Sequence, residues 1–181
     1  MTMTTLTAPV IGRRSLLKIG LLGGAVLATA GVTVALVDRF ASAPAEGYQA
    51  LRPADLPVLA ALVPVMLEGA VELPRLADAS AATVQGLDHQ LAHLSPEMLK
   101  LTRQMLDVLA LPVTRGPLTG IWGGWETASP EAVRNFLARW ENSSLALLRM
   151  GHASLLQLVM MAWYARPESW ARCGYPGPPT V

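Results

Sequence analysis

Apolar side chains recur at every third or fourth position through most of the chain after residue 50, the spacing of one face of an α-helix. Clusters of proline, glycine and serine interrupt this spacing, and no stretch alternates β-branched with polar residues as a strand would. We therefore expect an all-α fold, a small bundle of about five helices. The segments with helical spacing are 51–67, about 79–94, 96–111, 130–140 and about 144–165.

The residues between these segments indicate where helices begin and end. Ser95 and Ser129 each precede a Pro-Glu pair, which predicts an N-cap, a proline in the first turn and a favourable acid beside it. Pro64 is expected to kink or end the first helix, because it lacks an amide hydrogen and its ring crowds the preceding turn. Residues 69–78 and the glycines of 116–124 are expected to lie in loops, and residues 167–172 to form one short turn.

A basic stretch precedes the helical part. It reads Gly12-Arg13-Arg14-Ser15-Leu16-Leu17-Lys18 and leads into an apolar run from Ile19 to Val37. This arrangement resembles the twin-arginine export signal of bacteria, Ser/Thr-Arg-Arg-x-Phe-Leu-Lys, and implies that the twin-arginine translocase carries the folded chain to the periplasm. An ordinary secretory signal or a membrane anchor that contains two arginines is the alternative. The residues of the predicted export signal are Arg13, Arg14, Leu16, Leu17 and Lys18.

The apolar run is long for a signal peptide. As a helix it would span roughly 28 Å, close to the ~30 Å hydrocarbon core of a bilayer. Ala41-Ser42-Ala43 offers the small-x-small pattern that signal peptidase reads, although Pro44 is a poor residue to follow a cleaved bond. We expect cleavage after Ala43 or Ala45. The alternative is that the segment is not cleaved and stays as an N-terminal membrane anchor, with the two arginines on the cytoplasmic side. The predicted division is a signal or anchor, residues 1–43, and a helical domain, residues 44–181.

The charge balance of the helical domain argues against nucleic acid as a partner. The whole chain has a formal charge of +1, but without residues 1–43 it retains 10 basic and 12 acidic side chains, a formal charge of −2. The single cysteine, Cys173, excludes an internal disulfide bond. With 52% hydrophobic and only 15% charged residues, the composition favours a protein whose surface is partly covered by another protein.

No set of residues predicts catalysis, a cofactor site or a metal site. His89 and His93 lie one helical turn apart, but no further ligand accompanies them, so we favour a solvated or capping pair over a metal site. His152 and Met150 stand in an apolar helix, and the chain lacks the C-x-x-C-H motif of covalent haem attachment. Cys173 stands near a helix end, where the helix dipole disfavours a thiolate. We expect no catalytic, cofactor-binding or metal-binding residue.

Aromatic residues beside glycine-rich segments are the main candidates for contacts with a partner. Trp122 and Trp125 stand on one glycine-rich loop, where they either form an interface or close the domain's own core. The C-terminal tail cannot continue a helix and favours an extended structure, suited to a groove of another protein. The candidate interface residues are Trp122, Trp125, Trp163, Tyr164, Trp170, Tyr175, Pro176, Gly177 and Pro178.

The C-terminal run also carries a family resemblance. Its elements are Tyr164, Pro167-Glu168-x-Trp170 and Gly174-Tyr175-Pro176-Gly177-Pro178. They are similar to the close of the gluconate 2-dehydrogenase subunit 3 family, and residues 56–69 are more weakly similar to its opening helix. Members are small helical gamma subunits of bacterial membrane-bound, FAD-dependent alcohol and sugar dehydrogenases, and commonly begin with a twin-arginine signal. The Trp122–Trp125 loop does not map onto the family.

The resemblance implies a non-catalytic accessory subunit with no cofactor of its own. Its partner would be a large flavoprotein of the glucose-methanol-choline oxidoreductase type, which holds the FAD and is often joined by a multihaem cytochrome c subunit. Because that flavoprotein commonly lacks a signal, the small subunit would escort it to the periplasm. The alternative is a free-standing exported helical protein, either a ligand-binding module or a small metal or haem protein.

Overall fold

The computed structural model of the chain describes residues 43–177, except for the side chains of residues 171 and 172. No strand occurs in these residues, which confirms the all-α class. The helices are α1 (Asp55–Met66), α2 (Leu76–Ala92), α3 (Pro96–Ala110), α4 (Pro112–Thr119), α5 (Pro130–Glu141), α6 (Ala146–Tyr164) and α7 (Pro167–Cys173), with short 3-10 helices at Leu73–Arg75 and Trp125–Thr127.

The predicted export signal, the apolar run 19–37 and Pro178 lie outside the described residues. Between residues 43 and 177, no helix combines the length and the apolar character that crossing a membrane requires. The division of the chain at residue 43 stays a prediction.

The two serine caps are confirmed. The Ser95 hydroxyl accepts a hydrogen bond from the Met98 amide at 3.3 Å, and the Ser129 hydroxyl accepts one from the Ala132 amide at 3.1 Å. In each case a proline follows as the first helical residue, where its missing amide hydrogen costs nothing. These local signals fix the starts of α3 and α5.

The described residues form seven helices rather than about five. Pro112 ends α3 as expected but also begins α4, because Leu111 has an extended backbone that turns the chain into a new helix. Gly120 then ends α4 with a φ of +73°, a conformation that glycine adopts without strain. The predicted short turn after Pro167 is α7. The first helix continues past Pro64 to Met66, and α2 begins at Leu76, inside the segment expected to be a loop.

The core forms around α1, which packs against α2, α3, α5 and α6. Four apolar side chains of α1 are buried, because they recur at helical spacing on the face that meets these neighbours: Val58, Leu59, Leu62 and Val63. The buried side chains around them include Leu87, Leu91, Leu106, Leu109, Val133, Leu155 and Val159. Phe136 joins the core edge-to-face with Trp125 and Trp140, at ring-centroid distances of 6.0 and 4.9 Å.

Ahead of α1, a buried carboxylate holds the backbone of the chain. Asp88 of α2 is 3% exposed. Its Oδ1 accepts hydrogen bonds from the amides of Ala50 and Leu51, and its Oδ2 accepts one from the amide of Gln49, each at 2.8 Å. The Ala45 amide donates to the Leu51 carbonyl at 2.8 Å, so the chain from residue 45 to residue 51 forms a closed turn.

A buried arginine continues this arrangement. Arg52 is fully buried, and its Nε and Nη2 donate to the two carboxylate oxygens of Asp55 at 3.0 and 2.9 Å. Its Nη2 also lies 2.8 Å from Oδ1 of Asp107 on α3, while Arg103 donates from Nη2 to the Ala50 carbonyl at 3.0 Å. We call the backbone of residues 45–52 and the side chains of Arg52, Asp55, Asp88, Arg103 and Asp107 the N-terminal clasp.

Candidate protein-binding surface

An apolar groove opens between the C-terminal part of α2, α3 and α6. Its volume is about 600 Å³. Met98 and Leu101 of α3 and Met161 of α6 border it with more than half of their area exposed. The apolar lining residues are Leu91, Leu94, Met98, Leu101, Met105, Leu158 and Met161, and the polar ones are Gln90, His93, Thr102, Ser154 and Gln157. We call this feature the methionine groove.

The chemistry of the methionine groove suits an apolar peptide segment or an apolar small molecule. Among residues 43–177, no Asp, Glu, Lys or Arg lines the groove, so these residues place no charged side chain beside a bound group. Methionine side chains are unbranched and polarizable, and they adapt to partners of different shape. The amides of Gln90 and Gln157 can hydrogen-bond a peptide backbone that lies in the groove.

The sequence left open whether the two tryptophans of the glycine-rich loop form an interface or close the domain's own core, and the structure gives a different answer for each. Trp125 is 3% exposed and donates from Nε1 to the Leu109 carbonyl at 2.8 Å, so it closes the domain's own core. Trp122 is 77% exposed, and its indole ring covers Gly116, where a Cβ atom would come within 2.5 Å of it. Of the two, Trp122 presents its area to solvent.

The C-terminal aromatic residues form a cluster at the end of α6 and at α7. Trp163 is buried, whereas Tyr164 is 47% and Tyr175 is 48% exposed. Trp170 donates from Nε1 to the Tyr164 carbonyl at 2.9 Å and meets Tyr175 edge-to-face at 5.6 Å. The C-terminal aromatic cluster therefore consists of Tyr164, Trp170 and Tyr175.

The start of the tail packs against α7. The Tyr175 amide donates to the Trp170 carbonyl at 3.0 Å, and Gly177 lies against the ring of Trp170. Pro176 is exposed between them. Contacts of Trp170 with both residues hold the start of the tail against α7.

A second cleft of about 610 Å³ lies between the start of α2 and the α6–α7 junction. Charges of both signs line it: Glu72, Arg75, Asp78, Arg166 and Glu168. Arg166 donates to the Ala82 carbonyl at 3.3 Å and to Glu168 at 3.0 Å. Because three carboxylates face two guanidinium groups, the cleft offers no selective site for a simple anion or cation.

The histidine pair lies at the end of α2. His93 Nδ1 is 2.7 Å from the carbonyl oxygen of His89, and the two exposed rings pack at a centroid distance of 4.4 Å. Within residues 43–177, no three or more His, Cys, Asp or Glu side chains come together in a group that could hold a metal ion. His152 is half-buried and Cys173 is exposed and unpaired with another cysteine.

Comparison with known proteins adds no relative: no family model, no curated protein and no solved structure matches this chain.

Proposed function

We propose that this chain is the non-catalytic small subunit of a periplasmic, FAD-dependent alcohol or sugar dehydrogenase of the glucose-methanol-choline type. In this role it escorts the flavoprotein through the twin-arginine translocase. FAD belongs to the flavoprotein, and a multihaem cytochrome c subunit is a further partner. The family resemblance of the C-terminal run and the export signal around Arg13 and Arg14 support this proposal from the sequence.

The methionine groove is the structural observation that carries the proposal. Met98, Leu101 and Met161 leave 52%, 59% and 55% of their area in solvent around one uncharged cavity. Covering apolar area is favourable by about 25 cal/mol per Å². A contiguous apolar patch on a small domain marks a site of association more often than an isolated exposed leucine does. A groove between helices also suits a helix or strand of a larger protein.

The C-terminal aromatic cluster and Trp122 supply further contact area. Tyrosine and tryptophan present large, rigid, amphipathic surfaces, which is why they are enriched among the residues that dominate binding energies. Tyr164 and Tyr175 lie on the part of the chain that resembles the dehydrogenase subunit family. Both side chains are about half exposed, so a partner that binds this part of the chain can contact them.

Purification from the native bacterium tests the proposal. The full chain carries an affinity tag and is isolated from detergent-solubilised membranes. We expect it to bring down a large flavoprotein with a flavin absorbance spectrum and dye-linked dehydrogenase activity toward an alcohol or a sugar. A colourless, monomeric chain without activity in the eluate would contradict the subunit role.

The escort role has a separate test. Changing both Arg13 and Arg14 to lysine should leave this chain and the flavoprotein together in the cytoplasm, because the address lies on this chain. The matched control changes Arg134 and Arg139, two arginines outside the signal, to lysine and should leave export intact. Normal export of the flavoprotein beside the Arg13 and Arg14 variant would refute the escort role.

One observation favours the alternative of a free-standing ligand-binding protein. The methionine groove, at about 600 Å³, has the volume of a typical small-molecule site. An exported chain that purifies alone, with an apolar molecule bound in the groove, would support this alternative.

A further inference from the structure

The predicted cleavage site adjoins a backbone segment that belongs to the folded domain. Ala45 is 9% exposed, and both of its backbone groups are engaged. Its amide donates to the Leu51 carbonyl at 2.8 Å, and its carbonyl accepts from the Tyr48 amide at 3.0 Å. Gly47, with a φ of +80°, allows the tight turn that these bonds close. The bond that follows Ala45 is therefore part of this turn.

The N-terminal clasp fixes the C-terminal side of this turn. Three backbone amides, of Gln49, Ala50 and Leu51, donate to the carboxylate of Asp88. Directly after them, Arg52 is buried between Asp55 and Asp107. Freeing residue 45 breaks its hydrogen bonds to Leu51 and Tyr48, while the amides of Ala50 and Leu51 stay fixed by Asp88. The clasp thus ties the start of the domain to α2 and α3.

Signal peptidase, like other proteases, cuts chain that it can bind in an extended form, and buried, hydrogen-bonded backbone resists cleavage. Ala43 and Pro44 are exposed, but a bond after Ala43 lies within two residues of Ala45. Two residues of extended chain reach only ~7 Å. The protease would have to bind the Ala41-Ser42-Ala43 motif with the folded domain directly against its cleft.

We infer that the N-terminal clasp protects the junction from signal peptidase. Residues 1–43 then stay attached after export, and Ile19–Val37 becomes a membrane anchor. The inference rests on the proposed function, because twin-arginine export delivers a folded domain, whereas a chain threaded unfolded would present the same site before the clasp forms. The uncut N-terminal segment then keeps the subunit, and the flavoprotein it binds, at the periplasmic face of the inner membrane.

The experiment compares three full-length chains, each with a C-terminal tag, in a bacterium that has the twin-arginine system. The first is the native chain. The second carries Pro44→Ala, which removes the unfavourable residue after the scissile bond but leaves the clasp adjacent. The third combines Pro44→Ala with eight glycine and serine residues inserted after position 44. Cell fractionation, alkaline carbonate extraction and intact-mass measurement locate each chain and its N-terminus.

We expect the native and Pro44→Ala chains to be exported, uncut and resistant to carbonate extraction. The spacer variant should be cut after Ala43 and released in soluble form. An exported native or Pro44→Ala chain with a new N-terminus at position 44 or 46 would overturn the inference and leave the escort role standing. An exported spacer variant that stays uncut would overturn it as well, since distance from the clasp would not be what protects the site. Retention of all three chains in the cytoplasm would overturn both the inference and the proposed export.

Discussion

The guanidinium of Arg52 lies 2.8 Å from the carboxylate of Asp107, although the two residues are 55 positions apart in the chain. Both are buried, and Asp55 holds the other side of the same guanidinium. Burial alone lowers the pKa of Arg52, but its hydrogen bonds to Asp55 and Asp107 and their negative charges raise it above the ordinary value. The stabilisation from this raised pKa is fully present below the ordinary arginine value and fades only as pH rises past the folded one. Arg52 therefore keeps its positive charge at neutral pH.

Replacing Arg52 by methionine should destabilise the domain by about 3–5 kcal/mol, because it leaves two buried carboxylates without their counter-charge. Guanidinium denaturation of the detergent-solubilised chain, followed by tryptophan fluorescence, measures this change. Arg134→Met is the matched control. Arg134 pairs with Glu68 at 2.8 Å, but both side chains are well exposed, so its loss should cost less than about 1 kcal/mol. Equal losses in the two variants would contradict a structural role for the buried pair.

Asp88→Asn should lower the free energy of unfolding by about 1–3 kcal/mol. The amide retains one oxygen and cannot accept from the amides of Gln49, Ala50 and Leu51 together, which leaves a buried donor unsatisfied. Asp78→Asn removes the same charge from the exposed start of the same helix and should change stability by no more than about 1 kcal/mol. Hydrogen exchange adds a local readout: the amides of residues 49–51 should lose protection in the first variant and keep it in the second.

The helix starts at Ser95 and Ser129 could be predicted because a cap and a proline act within one turn of chain. The start of α4 could not, since Pro112 is equally good at ending one helix and beginning another. The clasp left a faint signal in the sequence. Asp88 and Asp107 each stand beside a leucine on the buried face of a helix. A carboxylate in such a position must be paired with a positive charge or accept hydrogen bonds. The identity of that partner depends on which helices meet, and helical spacing does not report it.

For the candidate binding surface, the sequence predicts the apolar helix face but not what covers it. The spacing of Met98, Leu101 and Met105 indicates an apolar helix face, but it does not say whether the same chain or another protein covers that face. Trp122 and Trp125 occupy the same glycine-rich loop and look equivalent in sequence. The tertiary structure separates them, because Trp125 reaches the Leu109 carbonyl and the ring of Phe136 in the core, whereas Trp122 stays exposed.

Trp125→Ala should therefore destabilise the domain by about 3–5 kcal/mol, because it empties a buried site next to Phe136 and leaves the Leu109 carbonyl without its donor. Trp122→Ala removes an exposed ring and should change stability by less than about 1 kcal/mol. Thermal unfolding of the two variants measures the difference. If Trp122 contacts the partner, its variant should instead weaken recovery of the flavoprotein at unchanged stability.

A charge placed in the methionine groove should weaken the complex and spare the domain. Leu101→Glu puts a carboxylate on a residue that is 59% exposed, so the free chain should keep its stability within about 0.5 kcal/mol. Binding of a partner over the groove would then bury an unpaired charge. We expect the dissociation constant of the flavoprotein to rise at least tenfold, or about 1.4 kcal/mol, in a titration of detergent-solubilised subunits.

Leu147→Glu is the control for this prediction, because Leu147 is 76% exposed on α6 and does not line the groove. It is the same leucine-to-glutamate substitution at another exposed position. The dissociation constant of the flavoprotein should stay within twofold of the native value. A large loss of affinity in Leu147→Glu, with Leu101→Glu unaffected, would place the partner on another face of α6. Unaltered affinity in both variants would remove the groove from the interface and leave Trp122 and the C-terminal aromatic cluster as the surface to test.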